Sequence, residues 1–261
     1  MKVLSYRFHK ALKGLAQEAF PNETIKPFYI TLHKEERKSF HGDYDPSNRE
    51  IRIFNLSLGK TFTLGTAIHE LAHHCHYSMD GKTDHSKRFY EVFFVLLQKA
   101  IHKGWIDYEE LREMGGASDI KMLERHVGKP DLTVADHDTY VIRVTNGYPI
   151  RDLLKKRGYT YMEKTWEKNF HGEAVLKEQE WLSDHIDLSF VKMKESTGFD
   201  WDIFWNLVAE DRSEHRVWLK ENGYQRRKRV WIKRIPSQQL EMEKKRSLSK
   251  ELHVKVELAE G

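Results

Sequence analysis

The spacing of hydrophobic residues divides the first part of the chain into helices and short strands. Apolar residues three and four positions apart predict an amphipathic helix over residues 6–20. β-Branched and aromatic residues predict a strand over residues 28–32 and a half-buried strand over residues 51–55. The turn sequence at residues 45–48 lies between them, so a small hairpin is expected before the next helix.

Helical spacing returns after Gly59 and continues for about seventy residues. A helix is predicted from Thr61 or Thr63 to about residue 77, and a turn-rich loop follows at residues 78–84. A second long helix begins near residue 85, and its apolar stripe ends at Gly104. The short segments that follow predict helices over residues 108–114 and 119–127, and residues 128–131 form a linker.

The pattern beyond the linker changes to a mixture of strands and short helices, and part of it is repeated. Six residues recur with an offset of 65 positions, namely Arg151, Leu154, Lys155, Gly158, Tyr159 and Trp166, which return as Arg216, Leu219, Lys220, Gly223, Tyr224 and Trp231. Their order predicts a duplicated unit of a helix followed by a hairpin. Residues 188–193 are expected to be the first strand of the second copy. Residues 200–210 are expected to be an inserted helix, and the charged tail, residues 237–261, is expected to be partly helical.

These patterns predict an α+β protein. A domain with a small sheet and several helices is expected over residues 1–128. Duplicated helix-hairpin modules follow at residues 132–182 and 183–261, the second with a basic hairpin and the charged tail.

Composition adds limits on location. Charged residues make up 32% of the 261 positions and hydrophobic residues 39%, which favours folded domains over disorder. The longest apolar run is only six residues, so no membrane span is expected. The single cysteine, Cys75, rules out an internal disulfide, and a cytoplasmic location is therefore the default expectation.

The candidate chemistry lies in the sequence His69-Glu70-x-x-His73. On a helix, His69 and His73 project from one face and can bind one zinc ion, while Glu70 can accept a proton from water. A catalytic zinc site needs a third ligand. His85 is the best candidate because it follows the loop at the start of the next helix, and Asp84, His76 and Glu91 are its rivals.

Other polar residues near the motif are expected to have supporting roles. His74 and His76 point away from the metal face and are expected to support the ligands or to lie at the surface. Cys75 is expected to be a small buried residue. Tyr44 or Tyr90 could stabilise an oxyanion, and the sequence does not distinguish them.

Several segments together resemble the SprT-like zinc metalloproteases and the similar YgjP-type metallopeptidases. The segments are residues 66–74, the preceding Gly42-Asp43-Tyr44-Asp45 and Ile51-Arg52-Ile53, and the following Asp84-His85-Ser86-Lys87-Arg88-Phe89. The resemblance covers roughly residues 28–97. It implies that residues 1–128 form a zincin-like metalloprotease domain, with a small sheet and zinc-binding helices. It also implies that His69, His73 and His85 bind zinc and that Glu70 is the general base. Ser86 stands where members often carry glycine, and the chain lacks a cysteine-rich zinc ribbon.

A basic segment near the end of the chain suggests a binding surface. Residues 224–234 contain six basic residues and no acidic one. Basic residues beside aromatic ones suit nucleic acids, and the candidates for contact are Arg226, Arg227, Lys228, Arg229, Trp231 and Lys233. The alternative is an ordinary solvated hairpin whose Trp166 and Trp231 are core residues.

Three functions therefore compete. The leading hypothesis is a zinc metallopeptidase of protein substrates, and SprT-like relatives suggest proteins bound to DNA as the target. The second is a peptidase like the ImmA-type enzymes of phages and mobile elements, which would cleave a regulatory protein. The third is a nucleic-acid-binding protein with a structural metal site and no enzymatic activity. No oligomeric state is predicted.

Overall fold

The architecture is taken from a computed structural model, which describes residues 3–113, 117–135, 139–162, 164–197, 199 and 203–259. It is a mixed α+β structure with three sheets. The helices are α1 Val3–Ala19, α2 Lys60–Asp80, α3 Lys87–His102, α4 Tyr108–Glu113, α5 Ala117–His126, α6 Arg151–Lys156, α7 Ala174–Ser183, α8 Arg216–Glu221 and α9 Leu240–Leu248. The strands are β1 Tyr29–Leu32, β2 Gly42–Asp45, β3 Glu50–Ile53, β4 Thr139–Val144, β5 Thr160–Met162, β6 Thr165–His171, β7 Val191–Glu195, β8 Phe204–Glu210, β9 Gln225–Arg227, β10 Val230–Pro236 and β11 Val254–Leu258.

The first sheet has the order β1-β3-β2 and supports the helix that carries the motif. β3 pairs in parallel with β1 and antiparallel with β2. Ile51 and Ile53 alternate with polar residues along β3 and are fully buried, so one face of this sheet packs on α1 and α2. The order leaves β2 at an edge of the sheet, where it runs beside α2.

Helices α2 and α3 form an antiparallel pair joined by a short loop. α2 ends at Gly81, whose left-handed backbone (φ 73°) lets its N–H donate to the carbonyl oxygen of Tyr77. The apolar stripe of α3, which includes Phe89 and Phe93, is buried against α2. α4 also approaches α2 closely, because a Cβ atom at Gly65 would lie 2.4 Å from Leu111.

The two repeats have the same topology. Each consists of strand, helix, hairpin, helix and strand, and the sheet orders are β5-β6-β4-β7 and β9-β10-β8-β11. This is the split β-α-β arrangement of ferredoxin-like folds. The repeated identities occupy matching places in it. Gly158 and Gly223 follow the first helix of each repeat with φ of 83° and 80°, and Trp166 and Trp231 are both buried.

Two sequence predictions in this region are wrong. Residues 188–193 do not begin the second repeat, because β7 pairs with β4 and completes the first sheet. A boundary at residue 183 would therefore cut that sheet. The predicted helix over residues 200–210 is instead strand β8 from Phe204 onward, while residues 200–202 lie outside the described residues. Alternating burial of Trp205, Leu207 and Ala209 explains the strand, because a sheet buries every second residue.

The second repeat shares its hydrophobic core with the N-terminal part of the chain, whereas the first repeat has its own. Buried residues of β8, β10 and α9 belong to the same cluster as α1, α2 and α3. A separate cluster is built around Ile142, Val144, Leu154 and Trp166. No helix among the described residues is both long enough and apolar enough to cross a membrane.

Candidate metal centre

The loop between α2 and α3 brings three imidazoles together. His69 and His73 lie one turn apart on α2, and His85 lies in the loop, two residues before α3 begins. The Nε2 atom of His85 lies 3.1 Å from Nε2 of His69 and 3.2 Å from Nε2 of His73. The three ligand atoms lie within 4.8 Å of one another, and this cluster could hold a metal ion.

Two rings of the cluster are neutral and can each offer a lone pair to a cation. Burial, with the charges of neighbouring histidines, lowers the pKa of His69 to about 3 and that of His73 to about 2. Both rings are therefore neutral at physiological pH, and each has one nitrogen lone pair. Together with Nε2 of His85, they form a set of imidazole donors that suits transition metals.

The outward nitrogen of His73 has a hydrogen-bond partner that orients the ring, whereas that of His69 does not reach one among the described residues. Nδ1 of His73 lies 2.7 Å from the hydroxyl oxygen of Thr83, so its N–H donates there when Nε2 faces the centre. Nδ1 of His69 lies 3.6 Å from a carboxylate oxygen of Asp119, which is too long for a direct hydrogen bond. Such outer contacts fix the orientation of metal-binding histidines.

Glu70 lies beside the cluster, and its carboxyl group is buried. Its residue is 6% exposed, and it lines the cavity that contains the three histidines. Burial raises its pKa to about 8, and the negative charges of Asp43 and Asp119 contribute. β2 lies close to it, because a Cβ atom at Gly42 would be 3.0 Å from Cγ of Glu70 and 2.7 Å from Thr66. Glycine at position 42 therefore lets the edge strand approach α2.

The rival third ligands lie outside the cluster that the described residues form. A carboxylate oxygen of Asp84 accepts a hydrogen bond from the backbone N–H of Ser86 at 3.0 Å. His76 is 1% exposed, so it is not a surface residue, and it faces Asp80 at 3.3 Å. Glu91 faces Arg88 on the outer side of α3, with 3.6 Å between the charged groups.

His74 and the two candidate tyrosines are engaged with other groups. His74 is fully buried, and its Nε2 lies 2.8 Å from the backbone oxygen of Lys26. Its Nδ1 therefore accepts from the hydroxyl of Tyr44 at 3.0 Å. Burial raises the pKa of Tyr44 to about 12. Tyr90 stacks on His126, with 5.0 Å between ring centres, and it is not among the described residues that line the cavity in front of the histidines.

The cavity in front of the histidines has a volume of about 650 Å³. One wall is formed by residues 39–44, which include the edge strand β2, and the opposite wall by α4 and α5. Phe62, Phe93, Leu111 and Ile120 give it apolar patches beside the polar centre. This combination of apolar surface with a few convergent polar groups is typical of ligand sites.

The basic hairpin lies in the second repeat, and half of its candidate residues already contact acidic residues of the same repeat. Trp231 is 8% exposed, and its Nε1–H donates to Asp211 at 2.9 Å. Arg226 also contacts Asp211, at 2.5 Å, and Lys233 contacts Glu243 at 2.8 Å. Arg227, Lys228 and Arg229 are exposed around the turn. Trp231 is thus a core residue, and stacking of a base on it, as predicted, is not possible in this structure.

Three further residues line the cavity and were not predicted from the sequence, namely Thr83, Asp119 and His41. Thr83 had a signal, because it lies two residues before His85 within the ligand loop. Asp119 and His41 are distant in sequence from the motif, and no spacing rule points to them.

Comparison of the chain with protein-family models, with curated proteins and with solved structures found no match. The resemblance to SprT-like proteases therefore stays a prediction. The proposed function rests on the geometry of the site.

Proposed function

We propose that the protein is a zinc-dependent metallopeptidase. The observation that carries the proposal is the convergence of three histidine Nε2 atoms beside the buried carboxyl group of Glu70. Histidines alone bind several metals. Zinc is favoured because three imidazoles with one open position form a common catalytic zinc site. Two nitrogens on a tetrahedral zinc ion are about 3.3 Å apart for bonds of 2.0–2.1 Å, close to the separations of 3.1 and 3.2 Å.

Bound there, zinc would lower the pKa of water toward neutrality and polarise a carbonyl group. Glu70 is the residue that takes the proton from the attacking water and returns it to the leaving amine. Burial raises the pKa of this carboxyl group, whereas the positive charge of a bound ion would lower it and favour the carboxylate, the form that accepts a proton.

The shape of the cavity supports a peptide substrate. β2 lines the cavity and lies at the edge of its sheet, so its outer backbone groups are available to pair with an extended chain. Such pairing would position the substrate along the wall next to Glu70. The apolar side chains of Phe62 and Leu111 would then contact its side chains.

The experiment that tests the function is substitution of Glu70. Glu70→Gln keeps the size of the side chain and removes its basicity. We expect the variant to retain zinc, measured by elemental analysis, and to lose cleavage of an unfolded protein such as casein by at least a hundredfold. Glu91→Gln is the matched control, because Glu91 is 43% exposed on α3. Full activity of Glu70→Gln would overturn the proposal.

A purely structural metal site is the alternative from another class. It would require a fourth protein ligand, whereas the cluster of described residues supplies three. We assign no nucleic acid to the basic hairpin, because Trp231 is buried and both Arg226 and Lys233 contact acidic residues of the same repeat. Cleavage of DNA-bound or regulatory proteins remains a prediction from the sequence.

A further inference from the structure

The loop between β1 and β2 borders the metal centre and is held by the end of β3. His33 donates its N–H to the carbonyl oxygen of Ile53 at 2.8 Å, and Phe54 donates its N–H to that of His41 at 2.8 Å. The last residues of this loop, Ser39, Phe40 and His41, line the cavity. The loop therefore has a fixed backbone where it reaches the site.

The side chain of Asn55 fixes the same loop through three hydrogen bonds. Asn55 is 2% exposed and has a left-handed backbone, with φ of 56°. Its Oδ1 accepts from the backbone N–H of Arg37, and its Nδ2 donates to the carbonyl oxygen of Arg37 at 2.7 Å. Because a backbone N–H can only donate and a carbonyl can only accept, these two contacts determine which way the amide points.

This orientation determines the tautomer of His41. The second hydrogen on Nδ2 of Asn55 points at Nδ1 of His41, 2.5 Å away. Nδ1 must therefore accept, and the neutral ring carries its proton on Nε2. The ring lies edge to face with Phe62, with 4.7 Å between ring centres. Among the residues that the structure describes, none accepts a hydrogen bond from this Nε2–H.

His41 lines the same cavity as the histidine cluster and Glu70. It directly precedes Gly42, the residue whose Cα approaches Glu70. The other polar candidate on this wall, Tyr44, already donates its hydroxyl to His74. His41 thus offers a hydrogen-bond donor that the cluster itself does not use.

We propose that His41 is a catalytic residue which donates its Nε2–H to the oxygen of the scissile carbonyl as negative charge develops there. Asn55 is the positioning residue, since it holds the tautomer that makes the donation possible. The inference rests on the proposed peptidase function. It involves no proton transfer, because the hydrogen bond only stabilises charge. Donors aimed at such an oxygen typically contribute about 10²- to 10³-fold to kcat.

The tautomer can be tested without any activity. In the full chain labelled with ¹⁵N-histidine, the ring of His41, assigned by its loss in His41→Gln, should carry its proton on Nε2 at neutral pH. Asn55→Asp keeps the acceptor for the Arg37 N–H but presents a second oxygen to Nδ1. The proton should then move to Nδ1. A proton on Nδ1 in the unmodified protein would overturn the inference.

The catalytic role is tested by two substitutions of His41. His41→Phe keeps a ring without a donor, and we expect kcat to fall about 10²- to 10³-fold with zinc content and KM little changed. His41→Gln places an amide N–H near the position of Nε2 and should recover part of kcat. Asn55→Asp should also lose kcat, although its shape is conserved.

The exposed His253 provides the control, and His253→Phe should leave kcat unchanged. An unchanged kcat in His41→Phe, together with an inactive Glu70→Gln, would overturn this inference and leave the peptidase function standing. Full activity of Glu70→Gln would instead overturn the proposed function itself.

Discussion

The two ring nitrogens of His73 have different surroundings. Its Nε2 atom faces the Nε2 atoms of His69 and His85 in the cluster, and its Nδ1 atom is hydrogen-bonded to the hydroxyl of Thr83. That contact holds the ring in the orientation and tautomer in which Nε2 has its lone pair free. A small hydroxyl in the loop therefore orients a ring that could bind a metal ion.

Thr83→Val removes this acceptor while keeping the shape of the side chain. We expect zinc affinity to fall by about ten- to a hundredfold, the usual effect of losing an outer contact to a metal-binding histidine. Affinity can be measured by competition with a chromophoric chelator. Thr61→Val, which removes an exposed hydroxyl bonded to Glu110, is the matched control. Equal affinities of the two variants would show that Thr83 does not orient His73.

Whether a site residue could be predicted from the sequence depends on how close it lies to the motif along the chain. His69, Glu70 and His73 follow from helical spacing, and His85 from a loop short enough to return the chain. Asp119 and His41 could not be predicted, because α5 and the loop after β1 reach the cavity only through tertiary packing. Asn55 looked like the end of a strand, and its role depends on a left-handed backbone that the sequence does not specify.

At the scale of elements, the repeats use one topology with different polar contacts. In the second repeat, Asp211 follows β8 and joins three elements. It accepts hydrogen bonds from Arg216 on α8, Arg226 on β9 and Trp231 on β10. The first repeat has Asn146 at the matching position. The second repeat therefore has a carboxylate at the position where the first repeat has a neutral amide.

Asp211→Asn should destabilise the protein in a pH-dependent way. The hydrogen bond from Arg216, followed by that from Trp231, lowers the pKa of Asp211 to about 2. A lowered folded-state pKa stabilises the protein above the ordinary pKa of about 3.9, and this contribution is lost as the pH falls toward 2. Thermal melts should show a lower Tm for the variant at pH 6 and a shrinking difference below pH 4.

Glu210→Gln, which changes an exposed neighbour, should show a smaller effect at pH 6. A difference between Asp211→Asn and the unmodified protein that stays constant from pH 6 to pH 2.5 would exclude this account of Asp211.

The elements themselves were predicted well where their pattern was local. The repeat was visible because a glycine with a left-handed backbone and a buried tryptophan recur at matching places. β8 was missed, although its buried residues alternate, and β7 was assigned to the wrong repeat. β7 joins the first sheet because it pairs with β4, which is about fifty residues away in the sequence. The hydrophobic pattern alone carries no information on such distant partners.

At the scale of the whole molecule, the segment between the repeats connects the second repeat to the N-terminal part. Phe199 is 1% exposed and packs edge-on against Phe8 of α1, with 5.1 Å between ring centres. The hydroxyl of Ser237 lies 3.1 Å from the carbonyl oxygen of Leu56 and accepts from the indole N–H of Trp205 at 2.9 Å. These contacts join two regions that are far apart in sequence.

Phe199→Ala should therefore affect both regions together. Loss of a buried phenylalanine typically costs about 3–5 kcal/mol. Hydrogen exchange measured by mass spectrometry should show faster exchange in α1 and in β8 at once. Phe170→Ala, in the separate core of the first repeat, should accelerate exchange only within residues 139–195. Faster exchange confined to β8 in Phe199→Ala would show that the shared core is not cooperative.

The three histidines of the cluster lie within a stretch of seventeen residues, on α2 and in the loop that follows it. The environment of the neighbouring carboxyl group comes instead from remote segments, β2 and α5, through Gly42, Asp43 and Asp119. The residues that could bind an ion and those that tune the carboxyl group are therefore encoded in separate parts of the chain. Substitutions in β2 or α5 could change the pKa of Glu70 and leave the histidine cluster intact, and α2 with its following loop could keep the cluster without that environment.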